Sequence, residues 1–135
     1  MINVQGICPD GWHVPDHQEW GVLINTIGSD VSYEYSCNGH TNYVAKAMAS
    51  TTGWPTYSGN NNNQACFPGY DQSTNNTTGF NVYPANGNRS MFWNARQYSN
   101  DNTKGYSYIL QYDMAYLNPF NMNKSTPAYV RCVKD

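Results

Sequence analysis

Charged side chains are scarce in this sequence. Asp, Glu, Lys and Arg together make up 12% of its 135 residues, which is about half of the share usual in globular proteins. The formal net charge is −2, so the chain lacks the basic surface that binds nucleic acid. It also lacks an apolar run long enough for a membrane-spanning helix. We therefore expect neither a nucleic-acid partner nor direct insertion into a membrane.

The signatures of metal and catalytic sites are missing as well. The three His and four Cys residues show no C-x-x-C or H-E-x-x-H spacing, which zinc sites favour. Asp71, Asp101 and Asp113 are isolated from one another, whereas calcium needs several oxygen ligands. No nucleophile elbow is present. Glu19 is explained as a helix cap and Glu34 lies in a polar loop, so no carboxylate pair is left for glycoside hydrolysis. We expect no metal, no cofactor and no catalytic residues.

Amide and phenol side chains take the place of charge. The chain contains nineteen Asn and twelve Tyr residues, which give a polar but uncharged surface. Tyr, Ser, Asn and Gly dominate the recognition surfaces of antibodies, and a loop-rich exported protein would have much of the same composition. Composition alone therefore leaves a recognition surface and an exported, loop-rich protein as alternatives.

Four Cys residues in a chain of this length are compatible with two disulfides formed in an oxidising compartment. Three pairings are possible. We favour Cys8–Cys132 and Cys37–Cys66, the first because the strand at the end of the chain is predicted to return to the opening segment. This predicts an extracellular, cell-surface or virion location. The first motif begins close to Met1, so we expect an upstream segment, with any signal sequence, to precede it in the full protein.

The opening segment combines a tight turn with a helix start. Pro9-Asp10-Gly11 has the residues of a β-turn. Asp16 is followed three residues later by Glu19, the pattern of a capping box. Apolar residues at helical spacing then predict a helix over 16–27, with Gly28 as its C-terminal stop.

The rest of the chain reads as one more helix, a long loop and several strands. Thr41 is a candidate N-cap for a second helix that ends near Ser50. Residues 58–79 are rich in Asn, Ser, Thr and Gly, which predicts a long loop tied down by Cys66. From Met91 onward the chain reads as β-structure, with strands predicted at 91–93, 106–113, 114–123 (strand or loop) and 128–134.

Residues 106–113 alternate cleanly between two faces. Tyr106, Tyr108, Leu110 and Tyr112 carry more apolar area, so we assign their face to the core. The opposite face is then predicted to point outward; it consists of Ser107, Ile109, Gln111 and Asp113. An exposed Ile between polar neighbours would mark a binding site.

The order of these motifs resembles that of the Fibrobacter succinogenes major paralogous domain family. The matching pieces lie at 6–15, 19–20, 44–54, 78–84 and 124–135, so the resemblance spans essentially the whole chain. It implies an α+β fold similar to C-type lectins, in one domain over 1–135. That fold has two helices packed on a small twisted antiparallel sheet, long loops and adjacent termini.

The sequence departs from related families at two functional positions. Calcium-dependent lectins carry a Trp-Asn-Asp triplet, whereas this chain has Trp93-Asn94-Ala95 and lacks the carboxylate. Formylglycine-generating enzymes, which have a similar fold, use a cysteine pair late in the chain. Cys132 is the only late cysteine here, and we pair it with Cys8. The resemblance therefore favours a protein that is not an enzyme.

Residues 91–123 also resemble the variable region of proteins diversified by retroelements in bacteria and phages. We predict a non-enzymatic ligand-binding module that recognises a protein or glycan on another surface. Its binding face is predicted to consist of the outward positions in the last third of the chain: Asn94, Arg96, Tyr98, Ser107, Ile109, Gln111, Asp113, Tyr116, Asn118 and Phe120. One alternative is a structural module of a larger surface protein. The other is an oxidase domain with a copper-binding thiol pair. The number of free thiols in the native protein would distinguish the oxidase from the binding module.

Overall fold

A computed structural model describes residues 7–29, 37, 40–97 and 99–135, which we call the described residues. They form an α+β arrangement of two helices and two antiparallel sheets. The helices are α1 (His17–Ser29) and α2 (Ala45–Met48). The strands are β1 (Trp12–His13), β2 (Arg89–Gln97), β3 (Lys104–Gln111), β4 (Asn118–Asn123) and β5 (Val133–Lys134). Neither of these helices has the length and apolar character needed to cross a membrane.

The larger sheet has the strand order β2-β3-β4, and β1 pairs with β5 in the smaller one. In the larger sheet Met91 lies opposite Ile109, Trp93 lies opposite Ser107, and Ser107 lies opposite Phe120. Residues that face each other across antiparallel strands point to the same side of the sheet. These five side chains therefore share one side, which we call the Ile109 face.

The predicted capping box forms at the start of α1. The Asp16 backbone N–H donates to Glu19 Oε2 over 2.9 Å, and the Glu19 N–H donates to Asp16 Oδ1 over 2.9 Å. Each side chain thus satisfies a backbone donor that the first helical turn leaves unpaired. The predicted first helix is confirmed, but Gly28 lies within it and does not end it. A Cβ atom on Gly28 would lie 1.6 Å from the Thr41 carbonyl oxygen, so glycine is needed there for close approach.

The second helix is much shorter than predicted. It covers only Ala45–Met48, and Val44 precedes it without a side-chain cap. Thr41 lies in a turn, so its prediction as an N-cap is wrong. After the helix, the Ser50 N–H donates to the Val82 carbonyl over 2.8 Å. The chain leaves the helical path because its backbone groups bond to a distant segment.

The main core lies between the two helices and the inner face of the larger sheet. Trp20 of α1 packs against Phe92 and Tyr108, with ring centroids 5.7 Å and 5.2 Å apart. The Tyr108 hydroxyl is 2.7 Å from His17 Nδ1. The predicted inward orientation of Tyr108 and Leu110 is confirmed, since their exposed fractions are 4% and 0%.

The Ile109 face is covered by the segment that leads to the C-terminus. Ile109 is only 5% exposed and clusters with Met91 and Met122, while Ala128 packs against them. The Tyr129 N–H donates to the Met91 carbonyl over 2.8 Å, which fixes this segment along β2. The prediction that Ile109 faces solvent is therefore wrong, because a distant part of the chain buries the second side of the sheet.

Both favoured disulfides are present. Cys8 bonds to Cys132 and Cys37 bonds to Cys66. Next to the first bridge, β1 pairs with β5, so that Trp12 lies opposite Lys134. The predicted return of the last strand to the opening segment is confirmed.

His13 connects the two ends of the chain a second time. Its Nε2 is 2.7 Å from Glu19 Oε1, and its Nδ1 is 2.5 Å from Asp135 Oδ1. Hydrogen bonds to Asp135 and Glu19 raise the pKa of His13 above its ordinary value. When His13 is protonated, both of its ring nitrogens donate to these carboxylates, and the ring links the helix cap to Asp135.

The long loop predicted at 58–79 contains two short 3₁₀ turns, Gln64–Cys66 and Gln72–Thr74. Lys46 of α2 holds the second half of this loop in place. The Lys46 ammonium donates to the Tyr70 carbonyl, to the Asp71 carbonyl over 3.0 Å and to Asn75 Oδ1 over 2.9 Å. Burial lowers the pKa of Lys46 to about 8.

We expect the loss of the Cys8–Cys132 bridge to destabilise the protein more than the loss of Cys37–Cys66. The bridges span sequence separations of 124 and 29 residues. In the chain-entropy model these loops contribute about 5 and about 3.5 kcal/mol to the free energy of unfolding. Denaturant unfolding of the two double Cys→Ala variants measures the difference. A larger loss in the Cys37/Cys66 variant would contradict this order.

The contribution of His13 to stability should depend on pH. Because the folded-state pKa is raised, the stabilisation is fully present below the unfolded pKa of about 6.5. It is lost as the pH rises through the higher folded-state pKa. The melting temperature of His13→Asn should therefore fall furthest below that of the wild type near pH 5.5, with a smaller difference near pH 9. A difference that does not change with pH would contradict the imidazolium bridge.

Candidate functional site

Three of the ten predicted binding residues are buried. Asn94 and Ser107 are each 1% exposed, and Ile109 is 5% exposed. Asn94 Oδ1 accepts the Arg96 N–H over 2.9 Å, and the Ser107 hydroxyl donates to the Phe120 carbonyl over 3.0 Å. The Ser107 bond joins β3 to β4, and the Asn94 bond stays within β2. The prediction that they form an outward face is wrong, because both sides of the central strand are covered.

The remaining predicted residues do not form one continuous face. Tyr98 lies outside the described residues. Arg96 packs over the Tyr106 ring, 5.3 Å from its centroid, near the start of β3. Four others lie at the opposite end of β3, in the connection to β4 or at the start of β4, and Phe120 lies within β4 opposite Ser107. The six residues that reach solvent are Arg96, Gln111, Asp113, Tyr116, Asn118 and Phe120.

Tyr116 belongs to a surface stack of three rings. The Tyr43 and Tyr116 rings have centroids 6.3 Å apart and planes inclined by 24°. The His40 ring also stacks on Tyr43, with a centroid distance of 4.3 Å and an angle of 29°. His40 and Tyr116 are exposed, and Tyr43 is half-buried. We call His40, Tyr43 and Tyr116 the aromatic stack.

The aromatic stack rests on a disulfide-bonded cluster. Cys66, Phe67 and Ala115 are buried there, and Cys37 and Tyr43 pack against them. The His40 N–H donates to the Cys37 carbonyl over 3.1 Å, and the Tyr43 N–H donates to the His40 carbonyl over 3.1 Å. The bridge therefore fixes the backbone that carries two of the three rings.

An amide from the long loop lies beside the stack. Asn63 Nδ2 is 3.5 Å from the Tyr43 hydroxyl. Partly exposed rings offer flat apolar area at a small cost in conformational entropy, and amides offer adaptable hydrogen bonds. This combination suits the recognition of a sugar ring or of an aromatic side chain.

Sequence reasoning identified Tyr116 but missed His40 and Tyr43. Among the three His residues, His40 shows no zinc-site spacing, and Tyr43 falls inside the second helix predicted from Thr41, although α2 begins only at Ala45. The favoured Cys37–Cys66 bridge was the available signal, because it brings residues around 40 to the long loop.

Several of the groups that could act in catalysis are engaged in bonds within the protein. Both ring nitrogens of His13 are hydrogen-bonded to carboxylates, so the ring holds no free nitrogen that would accept a proton. All four cysteines are bonded in pairs. Among the described residues, no three His, Cys, Asp or Glu side chains are grouped closely enough to hold a metal ion. Asp113 Oδ1 is buried without a hydrogen-bond partner in that part of the chain.

The burial of Ile109 makes a quantitative prediction. Ile109→Ala should lower the free energy of unfolding by about 2–5 kcal/mol, because it removes buried methyl groups and leaves a cavity. Phe120→Ala is the matched control on the same face. Phe120 is 50% exposed, and its loss should cost about 1 kcal/mol or less. Urea unfolding measures both, and equal effects would contradict the burial of Ile109.

Comparison with known proteins identifies the family of the chain. No curated protein and no solved structure matches the chain. A family model described as the Fibrobacter succinogenes major domain matches residues 1–134 of the 135. The match confirms the resemblance seen in the motifs at the two ends of the sequence. The chain belongs to the Fibrobacter succinogenes major domain family.

Proposed function

We propose that this chain is a non-enzymatic ligand-binding module of an exported, cell-surface or virion protein, with a fold of the C-type-lectin kind. The observation that carries the proposal is the aromatic stack of His40, Tyr43 and Tyr116. Two of its rings, His40 and Tyr116, reach solvent, while Tyr43 packs against a buried disulfide cluster. Such a surface is rigid before the ligand arrives, which reduces the entropy lost on binding.

Two connections across the chain support this rigidity. The Ala45 N–H donates to the Ala115 carbonyl over 3.1 Å, so the segment after Tyr43 is joined to the residue before Tyr116. The Cys37–Cys66 bridge joins the same region to the long loop. The three rings thus come from segments that are cross-linked to one another.

The chemistry of the surface favours a glycan or protein displayed on another surface. The stack itself carries no carboxylate, Lys or Arg, and the nearby Asn63 supplies an amide. Flat rings pack against the apolar face of a sugar or against another aromatic side chain, and amides bond to hydroxyl or peptide groups. Two disulfides agree with an oxidising compartment outside the cytoplasm.

The bonded state of all four cysteines counts against the alternative of a formylglycine-generating type of oxidase. That chemistry requires a thiol pair for the metal, and both late and early cysteines are used in bridges here. A free-thiol titration of the native protein tests this directly. We expect no reactive thiol, whereas two would reopen the catalytic alternative.

The binding proposal is tested by multivalent display of the domain on arrays of glycans and cell-surface proteins. The double variant His40→Ala/Tyr116→Ala should lose the binding seen with the wild type, by about tenfold or more in apparent affinity, because it removes the two exposed rings. Phe120→Ala is the matched control, since it removes an exposed ring outside the stack.

Circular dichroism and the melting temperature must show that all three proteins are folded. Binding that survives in the double variant but is lost in Phe120→Ala would move the site to the sheet. An array on which the wild type binds nothing would favour the structural-module alternative.

A further inference from the structure

A second aromatic surface lies beside residues 129–131, near the end of the chain. A half-open cleft of about 250 Å³ separates residues 81–83 from residues 129–131. Its walls include Tyr83 and Tyr129, which are 53% and 46% exposed, and its floor is the buried ring of Phe92. The Phe92 and Tyr129 rings have centroids 5.7 Å apart. None of the lining residues belongs to the aromatic stack.

Arg131 lines this cleft and also the adjoining one that contains Phe80, and its positive charge is held in a fixed position. Its guanidinium carbon lies 4.2 Å from the centroid of the Phe80 ring, and Nη2 donates to the Phe80 carbonyl over 2.9 Å. Among the described residues, no carboxylate forms an ion pair with Arg131. A guanidinium has five N–H donors, so most of them stay available to an anion. The charge is thus held in place by Phe80, and no carboxylate of the described residues neutralises it.

Both walls are held rigidly by hydrogen bonds. Asn81 has a φ of 57°, a left-handed conformation that is uncommon for a residue other than glycine. Its N–H donates to Asn76 Oδ1 over 2.7 Å, and Asn76 Nδ2 donates back to Asn81 Oδ1 over 3.1 Å. On the other wall, the Trp93 N–H donates to the Tyr129 carbonyl over 3.0 Å. The cleft is therefore formed before any ligand binds.

We propose that this cleft binds a sugar residue that carries a carboxylate, such as a uronic acid in an acidic glycan. The carboxylate would pair with the guanidinium of Arg131, which suits planar oxyanions. The sugar ring would lie between the two tyrosine rings, and the Asn81 amide and tyrosine hydroxyls offer partners for its hydroxyl groups. No acidic residue lines this cleft, whereas Glu19 lines the adjoining cleft that Arg131 also borders.

The size and the openness of the cleft favour a sugar over a larger ligand. Its volume lies below the range of sites for drug-sized molecules, and it suits a single ring with its substituents. One side is open to solvent, which lets a longer glycan continue beyond the bound residue. The proposal goes beyond the function assigned to the aromatic stack, and either site can exist without the other.

The test measures binding of tetragalacturonate by isothermal titration calorimetry. The fully methyl-esterified tetramer is the matched probe, since it has the same rings without the charge. We expect the acid to bind and the ester to bind at least about tenfold more weakly, as expected for the loss of a charge-assisted hydrogen bond. Binding should also weaken as salt is added.

Two variants locate the site, and a third separates it from the stack. Arg131→Gln should weaken tetragalacturonate binding about tenfold or more. Tyr129→Ala removes an exposed ring from the wall of the cleft and should also weaken this binding. Because the Tyr129 ring is exposed, we expect its loss to disturb the fold less than the loss of the Arg131 guanidinium. Tyr116→Ala should leave this binding unchanged. Melting temperatures show which variants are folded.

Several results would overturn the proposal. They are no binding of the acid by the wild type at millimolar concentration, equal binding of acid and ester, and unchanged binding in folded Tyr129→Ala. Binding of a glutamate-rich peptide in preference to the sugar would assign the cleft to a protein partner instead. Because the aromatic stack is tested with different variants, failure here leaves the proposed function standing.

Discussion

The Cys8–Cys132 disulfide holds the two ends of the chain together, and the other elements are arranged around that closure. The bridge lies beside the β1–β5 pair, and His13 joins the C-terminal Asp135 to Glu19 at the start of α1. The same Glu19 completes the capping box. One small region therefore fixes the helix that brings Trp20 onto the sheet, and the segment that brings residues 128–131 over its other side.

Covering both sides of a three-stranded sheet has a direct consequence for recognition. The central strand carries Tyr108 and Leu110 on one side and Ile109 on the other, and all three are buried. On the central strand, neither side is left open to a ligand. The surfaces that remain are built from connections, as is common for binding residues.

The two candidate surfaces share a physical design but differ in charge. The aromatic stack lies on a disulfide-bonded cluster and offers rings and an amide. The cleft lies between two hydrogen-bonded backbone segments and is bordered by Arg131, whose guanidinium pairs with no carboxylate of the described residues. In a chain with few charges, one immobilised cation has few competing partners, so it is well placed to select an anionic ligand.

Features that depend on short motifs and on the order of those motifs were predictable from the sequence alone. The capping box needs only Asp16 and Glu19 three residues apart, and the pairing of the end cysteines followed from the strand at the C-terminus. The family followed from the order of the motifs.

The tertiary structure decided which faces are exposed: Ile109 is buried because residues far along the chain cover it. It also ended α2 early, because Ser50 bonds to Val82, and it brought His40 and Tyr43 to Tyr116. Alternation along a strand defines two faces, but only the packing of distant segments determines whether solvent reaches either one.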